Sequence, residues 1–228
     1  MSSAERTRRA GSLTLDRGLR VLRVLAEHPD GLSVTRLAAE IGTHRAGIYR
    51  LLGPLLDQRL VIRAEDRYLL GLGLIELASS VRPRLQEVAA PELRRLADDL
   101  GATTALTVRD GDEAVVAAVG EPRRADVHIT YRAGMRHALD QAASGIAILA
   151  ALPSRRGERD AIRRARSRGW ALSTGELLPG ATGVGVPIVV AGREPEASLS
   201  AVWLGKRDPE PIAQEVLRSA ARIAAALT

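Results

Sequence analysis

The chain has 228 residues, 46% of them hydrophobic, with no cysteine, no phenylalanine and a formal net charge of +6. The length suits two ordinary domains or one large one, and the apolar share excludes a disordered chain. The missing cysteines exclude disulfides, thiolate chemistry and cysteine-ligated zinc. No apolar run approaches the ~20 residues of a bilayer span, and the opening MSSAERTRRAGS lacks a signal peptide's apolar core, so a soluble cytoplasmic protein is expected. The positive balance invites an anionic partner without locating it. Residues 1–80 carry 12 Arg against 9 Asp+Glu and residues 81–228 carry 21 Lys+Arg against 18, so each part nets +3. Lys206 is the only lysine; arginine suits phosphate and guanine, but its spread along the whole chain favours biased base composition as the reason.

In chain order, Arg6, Arg8 and Arg9 form either a minor-groove arm or a solvated tail over residues 1–12. A first helix is predicted from an Asp16 cap, with Leu15, Leu19, Leu22, Leu25 and Ala26 as its apolar face, ending at the turn His28-Pro29-Asp30-Gly31. Ser33 caps a second helix whose buried face is Val34, Leu37, Ala38 and Ile41. Gly42 closes it in the left-handed conformation, and Thr43 caps a third helix with Ile48, Leu51, Leu52 and Leu55 inward. At ~100° per residue, Ala46, Gly47, Tyr49, Arg50, Gly53 and Asp57 point away. Pro54 removes an N–H and crowds the carbonyl of Arg50, so a kink is expected there, leaving residues 43–53 intact. Leu60-Val61-Ile62 and Tyr68-Leu69-Leu70 then flank a 63–67 hairpin tip.

Two short helices joined at a glycine, then a strand–turn–strand, form the pattern of a winged helix-turn-helix. In that arrangement the outer face and first turn of the second helix enter the major groove. Candidate DNA contacts are Thr43, His44, Arg45, Ala46, Gly47, Tyr49 and Arg50, with Arg63 and Arg67 at the wing. Helix triplets also serve packing alone, with Arg50 a solvated surface residue; the wing favours DNA.

YRLL at 49–52, RYLLGLGLIELA at 67–78, GMRHALDQAASGIAILAALP at 134–153 and RGWALSTGELLPGATGVGVPI at 168–188 together resemble the IclR family of bacterial transcriptional regulators. The resemblance covers nearly the whole chain. It implies an α+β architecture: an N-terminal winged helix-turn-helix (13–70) joined by a linker helix region (71–90) to a GAF-like α/β effector-binding domain (91–228). It also implies work as a homodimer or a dimer of dimers, a double-stranded DNA operator and a small-molecule effector.

The residues agree with that layout. Gly71-Leu72-Gly73 leads into an apolar helix over 74–81, broken by Pro83, after which Leu85, Val88, Ala89, Leu93, Leu96 and Leu100 suggest helical packing. Strands are predicted at 104–109, 114–119, 127–131, 170–173, 182–190 and 198–204, with Asp110-Gly111 a hairpin turn. Helices are predicted at 141–151, 158–168 and 211–227, and helices on one face of the strands suggest an α+β sensor domain.

The effector site is expected where the 134–144 loop enters its helix beside Gly183-Val184-Gly185-Val186, with Asp140, Gln141, Ala142, Ser144, Gly183, Val184 and Gly185 as its residues. Helix N-termini favour anions. Asp140, however, stands where the family usually has histidine, and Ile146 where lysine is common. Asp140 either caps the helix or touches ligand, and its charge leans the expectation toward a neutral or hydroxyl-bearing effector. Ala46-Gly47 stand where the family tends to carry hydroxyls, which leaves the operator sequence open. Arg155, Arg156, Arg159, Arg163, Arg164, Arg166 and Arg168 form a second basic patch, either a solvated helix face or a contact to a partner subunit or nucleic acid.

No catalytic constellation is assembled. His28, His44, His128 and His137 lack metal-ligand spacing, no G-x-S-x-G elbow surrounds Ser144 or Ser173, and no phosphate-loop lysine exists. No metal site, cofactor or catalytic residue is expected. Two functions remain: a ligand-responsive repressor reading a palindromic operator as a dimer, or a sensor and oligomerisation module with weak or no DNA binding.

Overall fold

The computed structural model describes residues 12–123, 129 and 131–228. The chain divides into two compact units between Val81 and Arg82. Arg6, Arg8 and Arg9 lie outside the described residues, as does His128.

In the first unit, α1 (Leu13–Ala26) starts three residues before the expected Asp16, because Ser12 Oγ accepts the amide of Leu15 at 3.3 Å. Asp16 instead lies in the first turn, where its charge complements the helix dipole. The apolar face also differs from expectation. Gly18, Val21 and Leu25 are buried while Leu15 and Leu19 are exposed, so the helix is rotated relative to the leucine pattern. Ser33 caps α2 (Val34–Ile41), which buries Val34, Leu37, Ala38 and Ile41, and Gly42 ends it at φ 72°. The next helix, α3 (Arg45–Asp57), is capped at His44 rather than Thr43, with no side-chain capping bond. It continues through Pro54 to Asp57.

A strand not anticipated, β1 (Leu32–Ser33), joins β2 (Val61–Ala64) and β3 (Arg67–Leu70) in an antiparallel sheet ordered β1-β3-β2. Ala64 pairs with Arg67, leaving Glu65-Asp66 as a two-residue turn with Glu65 at φ 53°. The core joins Val21, Leu25, Leu37, Ile48, Leu52 and Tyr68. Helix α4 (Gly73–Ser79) follows, and Leu72, Ile75 and Leu77 are exposed along it.

The second unit opens with α5 (Pro83–Leu100), where Pro83 takes the first helical turn that needs no amide donor. A six-stranded antiparallel sheet follows in the order β6-β5-β4-β9-β8-β7. Its strands are β4 (Thr103–Asp110), β5 (Glu113–Gly120), β6 (Arg136–Ala138), β7 (Ala171–Thr174), β8 (Ala181–Ile188) and β9 (Ala197–Leu204). The β4–β5 hairpin turns at Gly111-Asp112. Strand β6 was not anticipated, and the strand expected at 127–131 falls largely outside the described residues.

Strand alternation sorts the sheet into two faces. Leu106, Val184, Val186, Leu199 and Trp203 meet Leu93, Leu96 of α5 and Val216, Ile223 of α8 (Pro209–Leu227). On the other face α6 (Ala142–Ala151) crosses so closely that a Cβ on Gly185 would stand 2.2 Å from the Ala143 carbonyl oxygen. Ser198 Oγ donates to the Ser144 carbonyl from the same side. α7 (Asp160–Arg168) packs against α6. Helices therefore cover both faces, correcting the one-sided arrangement read from the strand and helix order. Glycine and serine leave room for a helix where a hydrophobic strand face would have advertised one.

Candidate functional site

On α3, Arg45, Ala46, Tyr49 and Arg50 are exposed, His44 is exposed before it and Thr43 is half-buried. Gly47 departs from expectation. It is buried, and a Cβ there would come 2.8 Å from Thr43 Oγ1. Its contribution is to let the Thr43 turn fold tightly against the helix rather than to present anything outward.

The wing arginines point differently from one another. Arg63 Nε donates to the Glu65 carbonyl across the turn at 2.9 Å, keeping its guanidinium at the tip. Arg67 Nη1 donates to the carbonyls of Gly31 and Asp30 at 3.1 and 3.4 Å, tying the wing to the loop before α2. One property unites this unit. Every ion pair among the described residues lies at residues 82–228, so no arginine from Arg17 to Arg67 is paired with a described carboxylate. Unpaired guanidinium groups on an exposed helix face are available to phosphates and guanine edges.

In the second unit a cleft opens between the start of α6, the inner face of β8 and β9, and the loop 175–180. Of the seven expected effector residues, Ala142, Ser144 and Gly183 line it. Gln141 stands beside it, its Nε2 donating to the Glu176 carbonyl at 3.0 Å. Asp140, Val184 and Gly185 do not line it. Asp140 is exposed and offers its carbonyl to Arg159; Val184 faces α5 and α8; Gly185 is filled by the backbone of α6. Nor does Asp140 cap the helix. The Ala142 amide donates to Glu176 Oε2 at 3.0 Å and the Ala143 amide to Ser173 Oγ at 2.9 Å. Glu176 is held in turn by Arg159, 3.2 Å away.

Tyr131, Ser173, Glu176, Leu177, Ser200 and Val202 complete the walls. Tyr131 is buried, and that burial pushes its phenol above the ordinary value. The cavity volume is about 20 Å³, room for about one water.

The arginine-rich helix is largely spent within the fold. Arg166 pairs with Glu158 and donates to the carbonyls of Leu149 and Leu152, while Arg163 pairs with Asp160. Arg168 stacks 3.7 Å from the Trp170 ring centre. Arg166 holds Glu158 below the usual carboxylate range. Among the described residues no cluster of histidine and acidic side chains can hold a metal ion, and no helix is long and apolar enough to cross a membrane.

Comparison with known proteins decides the family. The IclR helix-turn-helix domain model matches residues 14–64, and the model for the C-terminal domain of the bacterial transcriptional regulator IclR matches residues 78–159. The chain belongs to the IclR family.

Among curated IclR relatives, HTH-type transcriptional regulator Rv1719 of Mycobacterium tuberculosis is 35% identical over 163 residues, 70% of this chain and 62% of that protein. HTH-type transcriptional regulator TtgV of Pseudomonas putida is 27% identical over 154 residues, 66% of this chain and 59% of that protein. The chain thus matches about three fifths of those relatives' length. Among solved structures, an IclR homologue from Microbacterium hydrocarbonoxydans complexed with 4-hydroxybenzoate has a TM-score of 0.80 at 24% identity, covering 94% of this chain and 98% of that one. The IclR regulator from Alicyclobacillus acidocaldarius has a TM-score of 0.77 at 24% identity with the same coverage. These likenesses show the fold, a winged helix-turn-helix followed by a GAF-like α/β domain with a curled antiparallel sheet. The matched families and relatives are transcriptional regulators, not enzymes.

Within this IclR chain, Tyr131, Ser173, Glu176 and Ser200 are the cleft residues that sequence reasoning missed. Glu176 had the only readable signal: a lone acid in a loop bounded by Gly175 and Gly180, next to two leucines. Ser173 and Ser200 come together through sheet pairing, and Tyr131 joins them from outside the strands.

Proposed function

We propose that the chain is a ligand-responsive, sequence-specific DNA-binding transcriptional regulator that represses from a palindromic operator as a homodimer or dimer of dimers in the cytoplasm. The carrying observation is the exposed face of α3, with Arg45, Tyr49 and Arg50 outward and, among the described residues, no carboxylate paired with any arginine from Arg17 to Arg67. In this reading residues 13–70 read duplex DNA through Thr43, His44, Arg45, Ala46, Tyr49 and Arg50, with Arg63 following the backbone at the wing tip. Gly47 and Arg67 support that surface from behind. Residues 71–90 relay, and residues 91–228 bind the effector at Gln141, Ala142, Ser144 and Gly183. The complex of a structural relative with 4-hydroxybenzoate supports a small organic effector.

The apolar side chains of Leu13, Leu15 and Leu19 on α1, and of Leu72, Ile75 and Leu77 along α4, supply surface for a second copy. The effector shifts DNA affinity only by its differential affinity for two arrangements of the DNA-reading units. Fluorescence anisotropy with duplex fragments from upstream of the encoding gene tests the reading. Affinity should fall linearly on logarithmic axes, with a slope of about −0.9 per phosphate contacted, and Arg50→Ala should weaken specific binding by about tenfold. Affinity indifferent to both salt and Arg50 would leave a sensor module without DNA binding.

A further inference from the structure

The polar groups around the α6 cleft can be assigned as donors or acceptors one at a time. His137 Nδ1 lies 2.9 Å from the Ala138 carbonyl, which only accepts, so a ring with one proton carries it on Nδ1. Nε2 is then a lone pair, 3.2 Å from Ser144 Oγ, and the Ser144 hydroxyl proton is directed to it, away from the cleft. Ser200 Oγ likewise donates its proton to the Ala105 carbonyl at 3.3 Å. Toward the cleft both serines present lone pairs. Glu176 adds a negative charge, and with Ser173 it occupies the two amides at the start of α6. The position where a ligand carboxylate would be welcomed by a helix terminus is thus already filled by the chain's own carboxylate, which Arg159 holds in place. Tyr131 lines the same cleft at 8% exposure, and its hydroxyl has no hydrogen bond among the described residues.

We propose that the cleft selects a small uncharged ligand bearing hydrogen-bond donors, an alcohol or a phenol, and that Glu176 is the residue that keeps carboxylates out. The inference rests on reading this cleft as the effector site. Ligand hydroxyls donate to Ser144 and Ser200, while Tyr131 and Ser173, whose Oγ accepts the Ala143 amide and keeps its own proton, turn their hydroxyls toward the ligand. A ligand carboxylate meets two lone-pair faces and a fixed anion. With room for about one water in the cleft as it stands, entry displaces Leu177 and Leu178 in the 175–180 loop.

Calorimetric titration of the full chain with 4-hydroxybenzyl alcohol and with 4-hydroxybenzoate compares one ring carrying either end group. The native chain should bind the alcohol about tenfold or more tightly than the acid, and Tyr131→Phe should weaken the alcohol by about tenfold. Glu176→Ala vacates the Ala142 amide and removes the carboxylate partner of Arg159, so the acid should gain about tenfold or more. Glu176→Gln, which retains the loop's shape, should move the ratio the same way, and circular dichroism melts establish that each variant is folded. Preference of the native chain for the acid, binding of neither compound, or an unchanged ratio in both folded Glu176 variants would overturn the proposal. Duplex binding is measured on the native protein alone. Discrimination without DNA binding would sink the regulator and leave this inference standing, and DNA binding without discrimination would do the reverse.

Discussion

Gly183 and Gly185 sit two residues apart on one face of β8 and have opposite surroundings. A Cβ on Gly183 meets nothing nearer than Ser173 Oγ at 3.5 Å, whereas one on Gly185 would lie 2.2 Å from the Ala143 carbonyl. Gly185→Ala should therefore push α6 off the sheet and cost about 2 kcal/mol or more, while Gly183→Ala should stay within about 0.5 kcal/mol. Thermal melts of the two variants check the contrast; equal Tm values would mean that α6 does not pack as described. The glycine run was legible as a place of close approach. Whether ligand or the chain's own backbone makes the approach was not, because that depends on the helix laid across it from 40 residues upstream. Asp140 carries the same lesson. An acid before a helix looks like a cap, but here a glutamate 34 residues downstream of Ala142 takes the amide.

At the scale of elements, α5 and α8 are joined over the sheet by Glu92, which Arg222 contacts through two bonds of 2.9 Å and Arg95 at 3.1 Å. Arg222 foremost, then Arg95, hold the Glu92 carboxyl below its usual range against the opposing effect of burial. A depressed carboxylate adds stability that is present above the unfolded value, about 4.3, and is lost as pH falls through the lower folded value. The glutamate is 18% exposed but its arginines are 47% and 39% exposed, so about 1 kcal/mol is expected rather than the larger cost of breaking a buried pair. Glu92→Gln should lower stability by that amount at pH 7, with the gap closing at acid pH in urea titrations. A gap that widened with acidification would contradict the assignment. Most elements were legible because each carries a local signal: Ser33 as cap, Gly42 as stop, alternation in the strands. α1 was misphased because its leucines follow a helical period as well as the buried set does, and only tertiary packing chooses between Leu15 and Val21. The short strands β1 and β6 exist through pairing with partners far along the chain, which local pattern does not report.

For the molecule as a whole, two units with separate cores, one with every described ion pair and one with none, fit a division between sensing and DNA reading. The assembly proposed above rests on apolar side chains that neither core absorbs. Ile75 is 66% exposed and Leu77 is 60% exposed. Replacing both with Asp should convert an assembled species to monomer in sedimentation velocity; an unchanged sedimentation coefficient would place the interface elsewhere. Paired half-sites need two copies, so the same double variant should also lose affinity for a full operator while retaining that for a half-site. The most direct test of the central claim maps backbone amide shifts as duplex operator is added. Perturbations concentrated at residues 43–50 and the 63–67 wing tip are predicted, and perturbations elsewhere with those two segments silent would contradict the account.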